Sequence, residues 1–145
     1  MTLGDGARAR YEDILREHYR HPRNQGGLET ADRRERGRNP RCGDDIEVGV
    51  FLTDSGVVTV RFRARACSVC VASASLMTEA VAGLKTQDVQ SLAVQLARWM
   101  TSEDPPFSEA LAALTAVRPQ KARHRCVLLA WDALTAALLQ LADHP

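Results

Sequence analysis

Between residues 46 and 65 the chain alternates with period two across a turn, and no other feature constrains its fold as tightly. Ile46, Val48, Val50 and Leu52 alternate with Glu47, Gly49, Phe51 and Thr53. After Asp54-Ser55-Gly56, a turn-forming tripeptide, Val58, Val60, Phe62 and Ala64 alternate with Thr59, Arg61, Arg63 and Arg65. Successive side chains on a strand point to opposite faces, so each stretch has one apolar and one wet face. Such a sheet pairs antiparallel and needs helices on its apolar side.

Outside the hairpin the periodicity is helical. Tyr11, Ile14, Leu15 and Tyr19 mark a helix over 7–20, with Asp5 placed to cap it and Pro22 to close it. A second helix is expected over 69–82, ended by Gly83. A third starts after Thr86, with Val89, Leu92, Ala93, Leu96 and Met100 as its apolar stripe, and Pro105-Pro106 breaks it. Ser108 is placed to cap a short helix through Leu111 and Leu114. The last begins near Arg125 and carries Leu129, Ala130, Ala133, Leu134, Ala137, Leu138 and Leu141 on one side. An N-terminal helix, a hairpin and a run of helices predict an α+β domain. The polar segment 23–41, with Gly26-Gly27 and the cluster Arg33, Arg34, Arg36 and Arg38, is expected to be a mobile solvated loop. Its arginines are the candidate surface for contact with a partner.

Length and composition narrow the function classes. At 145 residues, with 45% hydrophobic and 26% charged residues, the chain suits a single folded domain over 1–145. A formal net charge of +1 gives no reason to expect nucleic-acid binding, and the arginine row of the hairpin has no interleaved aromatics. The apolar run from Cys126 to Trp131 falls far short of the roughly 20 residues that span a bilayer, so no membrane role is expected. No apolar leader is visible at the N-terminus, and the expected location is the cytoplasm. There, four cysteines are thiols or metal ligands rather than disulfides.

Those cysteines fall at the ends of elements. Cys42 lies in a tight turn before the first strand, Cys67 between the second strand and the following helix, and Cys126 at the start of the final helix. Side chains so placed can converge over one edge of a sheet, and helix N-termini favour a thiolate. Asp44 offers a carboxylate to complete a four-coordinate site, so three thiolates and one carboxylate would make a tetrahedral zinc or iron site with one exchangeable ligand. Cys70, one helical turn past Cys67, matches half of a C-x₂-C knuckle but lacks a second pair, and reads as core packing.

The motifs resemble a known family. Asn39-Pro40-Arg41-Cys42-Gly43-Asp44, Ala66-Cys67-Ser68 followed by Ala72-Ser73-Ala74-Ser75-Leu76-Met77-Thr78, and Arg123-His124-Arg125-Cys126 ahead of Trp131 are similar to the three cysteine motifs of the U-type iron–sulfur cluster assembly proteins, IscU and SufU. Tyr19-Arg20-His21-Pro22-Arg23-Asn24 resembles the end of that family's opening helix. The resemblance implies a sheet of about three strands packed against four or so C-terminal helices. Fifty-nine positions separate Cys67 from Cys126, and Arg125 stands before the third cysteine; both are similar to the SufU branch. For that branch the resemblance implies zinc on Cys42, Asp44, Cys67 and Cys126. It also implies persulfide sulfur accepted by Cys42 from a SufS-like cysteine desulfurase, and onward transfer to apo-proteins or other assembly proteins. Arg123 resembles an arginine close to the metal, and Cys70 stands where the family usually has small or hydroxyl residues. Arg118-Pro119-Gln120-Lys121 does not reproduce the chaperone-recognition motif of the IscU branch, so no dedicated chaperone is expected.

Three readings of function remain at this level. The first is a zinc-bound sulfur carrier, at most a zinc-dependent sulfurtransferase. The second is a scaffold that builds a [2Fe–2S] cluster on the same ligands, and the third a purely structural zinc domain. A deaminase-like hydrolase would need His-x-Glu ahead of Pro-Cys-x-x-Cys, which the chain lacks. His18, His21 and His124 show no ligand spacing and are expected to be solvated or capping residues.

Overall fold

The computed structural model describes residues 4–143. Helix α1 (Asp5–Arg20) precedes three strands, β1 (Arg33–Asn39), β2 (Asp44–Leu52) and β3 (Val58–Arg65). Helices α2 (Ser68–Val81) and α3 (Thr86–Met100) follow, then two short 3-10 turns (Ala112–Ala116 and Lys121–Arg123) and α4 (His124–Asp143). The strands form an antiparallel meander in the order β1-β2-β3, with Val48 opposite Phe62 and Val50 opposite Val60. The α+β class and the antiparallel hairpin are as the sequence predicts.

Ile46, Val48, Val50, Val58, Val60 and Phe62 are at most 1% exposed and form one face of the sheet. Helix α4 covers this face over β1 and β2, and α2 covers it over β3. Burying each such side chain stabilises the fold by about 1.5–3 kcal/mol. By length and composition alone α4 could cross a membrane, but Val127, Ala130, Trp131, Leu134, Ala137 and Leu138 on it are the core of this domain.

The segment expected to be a mobile loop is ordered, and seven of its nineteen residues, Arg33–Asn39, form a strand. Arg33, Glu35, Gly37 and Asn39 of β1 face inward and Arg34, Arg36 and Arg38 face out, a period-two pattern written in polar residues. Apolar alternation is missing because the inward positions meet a special surface. Glu35 accepts a hydrogen bond from Gln140 on α4, and a Cβ on Gly37 would lie 3.1–3.2 Å from Leu129, so α4 packs directly on the strand backbone. The preceding residues seal the far side of the sheet. Gly26 N–H donates to the Phe62 carbonyl (2.7 Å) and Phe62 N–H to the Asn24 carbonyl (3.0 Å), so the edge of β3 is paired there rather than open.

The helix signals are corrected in detail. Among the described residues no side chain caps α1, whose N-cap is Gly4, so Asp5 does not fill that role. Ile14 and Tyr19, expected in its apolar stripe, are 37% and 47% exposed. The residue α1 buries is His18, which is therefore not a solvated histidine. The short helix expected from Ser108 is a turn leading into the 3-10 segment Ala112–Ala116, although Leu111 and Leu114 are buried.

His18 fastens α1 to α2. Its Nδ1 lies 2.7 Å from the Ser75 hydroxyl, which also accepts the Arg23 backbone N–H at 2.8 Å. A neutral ring accepting the Ser75 proton at Nδ1 satisfies both bonds. Burial, reinforced by the charge of Arg23, lowers the His18 pKa below its ordinary value, and Glu79 and Glu17 oppose this only in part. In the unfolded chain the ring takes up a proton as pH falls through about 6.5, while in the folded chain it stays neutral to lower pH. Stability supplied by the neutral ring is thus complete above the ordinary histidine value and lost as pH falls toward the depressed one. The melting temperature is expected to drop between pH 7 and pH 5 and to drop less in His18→Gln. An equal slope in the two proteins would refute the assignment.

Candidate metal centre

The turn between β1 and β2 carries the first cysteine. Cys42 N–H donates to the Asn39 carbonyl (3.2 Å), and Gly43 then takes φ +70°, a left-handed conformation that glycine enters without strain. This reversal leaves Cys42 exposed and turns Asp44, the first residue of β2, inward to 2% exposure. Cys67 is the N-cap residue of α2 and half-buried; Cys126, in the first turn of α4, is fully buried. Three separate element ends therefore meet at one end of the sheet.

Ligand atoms of Cys42, Asp44 and Cys126 all lie within 4.8 Å of one another. Cys67 joins this trio through the carboxylate: its sulfur is 3.7 Å from Asp44 Oδ2, and its backbone N–H donates to Asp44 Oδ1 at 2.8 Å. Around a tetrahedral zinc, with sulfur at about 2.3 Å and oxygen at about 2.0 Å, neighbouring ligand atoms stand about 3.5–3.8 Å apart. Contraction by about 1.3 Å or less would bring the trio to that spacing. Asp44 also makes no ion pair with any side chain among the described residues. A buried carboxylate facing three sulfurs and no side-chain cation is a donor set that a divalent metal fits.

The electrostatics of the thiols agree. Burial first, then the neighbouring Cys67 and Asp44, raises the Cys126 pKa well above the ordinary thiol value. Without a cation, this sulfur keeps its proton at neutral pH. Metal uptake must therefore release that proton and strengthen as pH rises. Arg123 is on the exposed 3-10 turn before α4, and Cys126 first, then the charges of Cys67, Cys126 and Cys42, raise its pKa. Cys70 lies inside the core at 0% exposure, its thiol pKa raised by burial and then by Asp44, Cys67 and Cys126. The bond from Asp44 to the Cys67 backbone, which ties β2 to the start of α2, had no signal in the sequence beyond the acidic residue two places after Cys42.

Known proteins resemble this chain over most of its length. A family model described as NifU-like N terminal domain matches residues 10–144. A Bacillus subtilis (strain 168) protein named zinc-dependent sulfurtransferase SufU is 32% identical over 127 residues, 86% of each chain. A Streptococcus pyogenes serotype M1 protein named iron-sulfur cluster assembly scaffold protein IscU is 27% identical over 136 residues, covering 92% of this chain and 85% of its own. The crystal structure of a nitrogen-fixing NifU-like protein (N-terminal) from Brucella abortus superposes with a TM-score of 0.80 at 26% identity, over 93% of this chain and 96% of that one. A structure from Fervidobacterium islandicum, 24% identical with a TM-score of 0.77, covers 93% of this chain and 99% of its own and bears on the fold alone. Motifs, sheet order and a match running nearly end to end lead to one kinship: the chain belongs to the NifU-like N-terminal domain family of iron–sulfur cluster assembly scaffold proteins.

Proposed function

We propose that this chain is a metal-bound sulfur carrier of the SufU kind, which accepts persulfide sulfur from a cysteine desulfurase in the cytoplasm and passes it on for iron–sulfur cluster assembly. The observation that carries this reading is the difference in exposure and anchoring among clustered thiols. Of the four cysteines only Cys42 is exposed, on a turn hinged at Gly43, whereas Cys67 and Cys126 are held at helix starts. Zinc held by Cys42, Asp44, Cys67 and Cys126 would keep three thiols ionised at neutral pH.

The chemistry then belongs to the side chains. The Cys42 thiolate attacks the outer sulfur of the donor persulfide, the donor's sulfur–sulfur bond breaks, and the donor cysteine leaves as thiolate. One sulfur atom moves, no net oxidation occurs, and Cys42 becomes the persulfide. Asp44 supplies the most weakly held donor of the set, an oxygen among sulfurs, and keeps the α2 N-terminus in place through the Cys67 N–H. The raised pKa of Arg123, with Cys126 as its first cause, is in keeping with a guanidinium that steadies negative charge on the sulfurs.

A second reading, a scaffold for a [2Fe–2S] cluster, draws on Cys67. Its sulfur falls outside the compact trio, and a two-iron cluster spans a wider set of ligands than one ion does.

Two measurements decide. Protein purified in air is expected to hold one zinc per chain with no visible absorption, and Asp44→Ala is expected to weaken zinc retention against a chelator at least about tenfold. Stoichiometric iron with visible bands, trapped more firmly by Asp44→Ala, would favour the scaffold. With a cysteine desulfurase, free cysteine and persulfide-selective alkylation, mass spectrometry is expected to place the label on Cys42, and Cys42→Ala is expected to abolish stimulation of the desulfurase. Label on Cys126, or full stimulation by Cys42→Ala, would overturn the carrier assignment.

A further inference from the structure

The outer face of the sheet, turned away from α2 and α4, is a grid of charge. Strand register sets Arg34, Gly49 and Arg61 in one row, Arg36, Glu47 and Arg63 in the next, and Arg38, Asp45 and Arg65 in the third. Six arginines stand against two carboxylates in a chain whose net charge is only +1. The arginines form two rails, on β1 and β3, with the carboxylates on β2 between them. Residues two apart on a strand are about 6.6–6.8 Å apart, and strands two places apart are separated by about 9.5 Å.

One end of this grid is covered and the other is open. Leu28 and Ala31 pack over Gly49, while Arg34 and Arg61 donate to the backbone carbonyls of Leu28, Gly26 and Gln25. Toward the metal centre, Arg36, Asp45, Glu47, Arg63 and Arg65 line a surface depression. Arg36, Arg38 and Arg63 pair with Asp45, Glu47 and Glu29 at 3.3–3.5 Å, and their side chains remain 52–62% exposed. Ion pairs this exposed contribute at most about 1 kcal/mol, so a partner's carboxylates can replace them. Arg65 makes no ion pair among the described residues.

We propose that this face docks an acidic α-helix of a protein partner, laid between the two arginine rails with one end toward the metal centre. The separation of the rails matches the ~10–12 Å width of a helix, and carboxylates four residues apart on a helix are ~6 Å apart, close to the spacing along each rail. The central carboxylates select a protein over a nucleic acid. A uniformly anionic strand would lay phosphates on Asp45 and Glu47, whereas a helix can set neutral or basic side chains above them and carboxylates over the rails. No outward side chain in the three rows is aromatic, and Phe51, the next outward position on β2, lies beyond the covered Gly49 row, so the open end has no platform for stacked bases. Arg38 lies four residues before Cys42 and Arg65 two before Cys67, which puts the open end beside the site. The inference goes beyond sulfur transfer and holds whatever the metal centre carries.

The test uses the full chain, isotope-labelled, and a synthetic alanine-based helical peptide with glutamate stripes flanking a lysine stripe. A scrambled peptide of equal composition and a 20-nucleotide single-stranded DNA are the comparators. Chemical-shift changes are expected at Arg36, Arg38, Arg63 and Arg65, with affinity falling at least about tenfold in the pair Arg36→Gln/Arg63→Gln and at raised salt. Arg65→Gln, which breaks no ion pair, is expected to weaken binding without loss of fold, so a misfolded double variant leaves the question decidable. Binding by the scrambled peptide with equal strength, tighter binding of the DNA, absence of binding at millimolar peptide, or indifference to Arg65→Gln would each overturn the proposal. Because the readout is binding and not desulfurase stimulation, its failure leaves the sulfur-carrier reading standing, and the reverse also holds.

Discussion

The carboxylate of Asp44 is the contact on which both the fold and the site depend. It is a buried ionisable group, and removing it from water costs several kcal/mol unless partners replace the lost hydration. One oxygen takes the backbone N–H of Cys67, and the other faces the Cys67 sulfur. These contacts tie the first residue of β2 to the start of α2. Because Cys126 comes from the start of α4, the same carboxylate also sits where a third element arrives. What fixes the end of the sheet thus gathers the candidate ligand atoms, and a cation there would complete the compensation that one N–H begins.

The parts of this structure that were legible in sequence are those written in apolar side chains. The hairpin showed itself because Ile46, Val48 and Val50 oppose Ala64, Phe62 and Val60 on a face that buries all but Ala64. Strand β1 was hidden because its inward positions are filled by arginine, glutamate, glycine and asparagine. Gly37 faces Leu129 at close range and Glu35 bonds Gln140, contacts that no local pattern encodes. Helix α1 misled in part: Leu15 of the expected stripe packs against the core, but Ile14 and Tyr19 are exposed and the buried side chain is His18, bonded to Ser75. The convergence of Cys42, Asp44 and Cys126 could be anticipated from their places at element ends. Asp44's bond to the Cys67 backbone could not, because it joins residues that only the finished fold brings together.

The thiols around the centre differ in burial. Cys70 and Cys126 are fully buried, Cys67 is half-buried, and Cys42 stands in solvent on a turn. On the proposed reading, the ligand that meets a partner's persulfide is the one held by no helix, and Cys42 alone sits on a turn, next to Gly43 at φ +70°. Cys70 has the opposite surroundings. Its desolvated thiol stays protonated and packs as a small apolar side chain.

The central claim is that three sulfurs and the Asp44 oxygen hold one ion. Zinc-edge X-ray absorption on the loaded protein tests it most directly. The account predicts a first shell of three sulfurs at about 2.3 Å and one oxygen at about 2.0 Å, becoming a different shell in Asp44→Ala. Four sulfurs, a nitrogen-rich shell, or a spectrum indifferent to Asp44→Ala would contradict it.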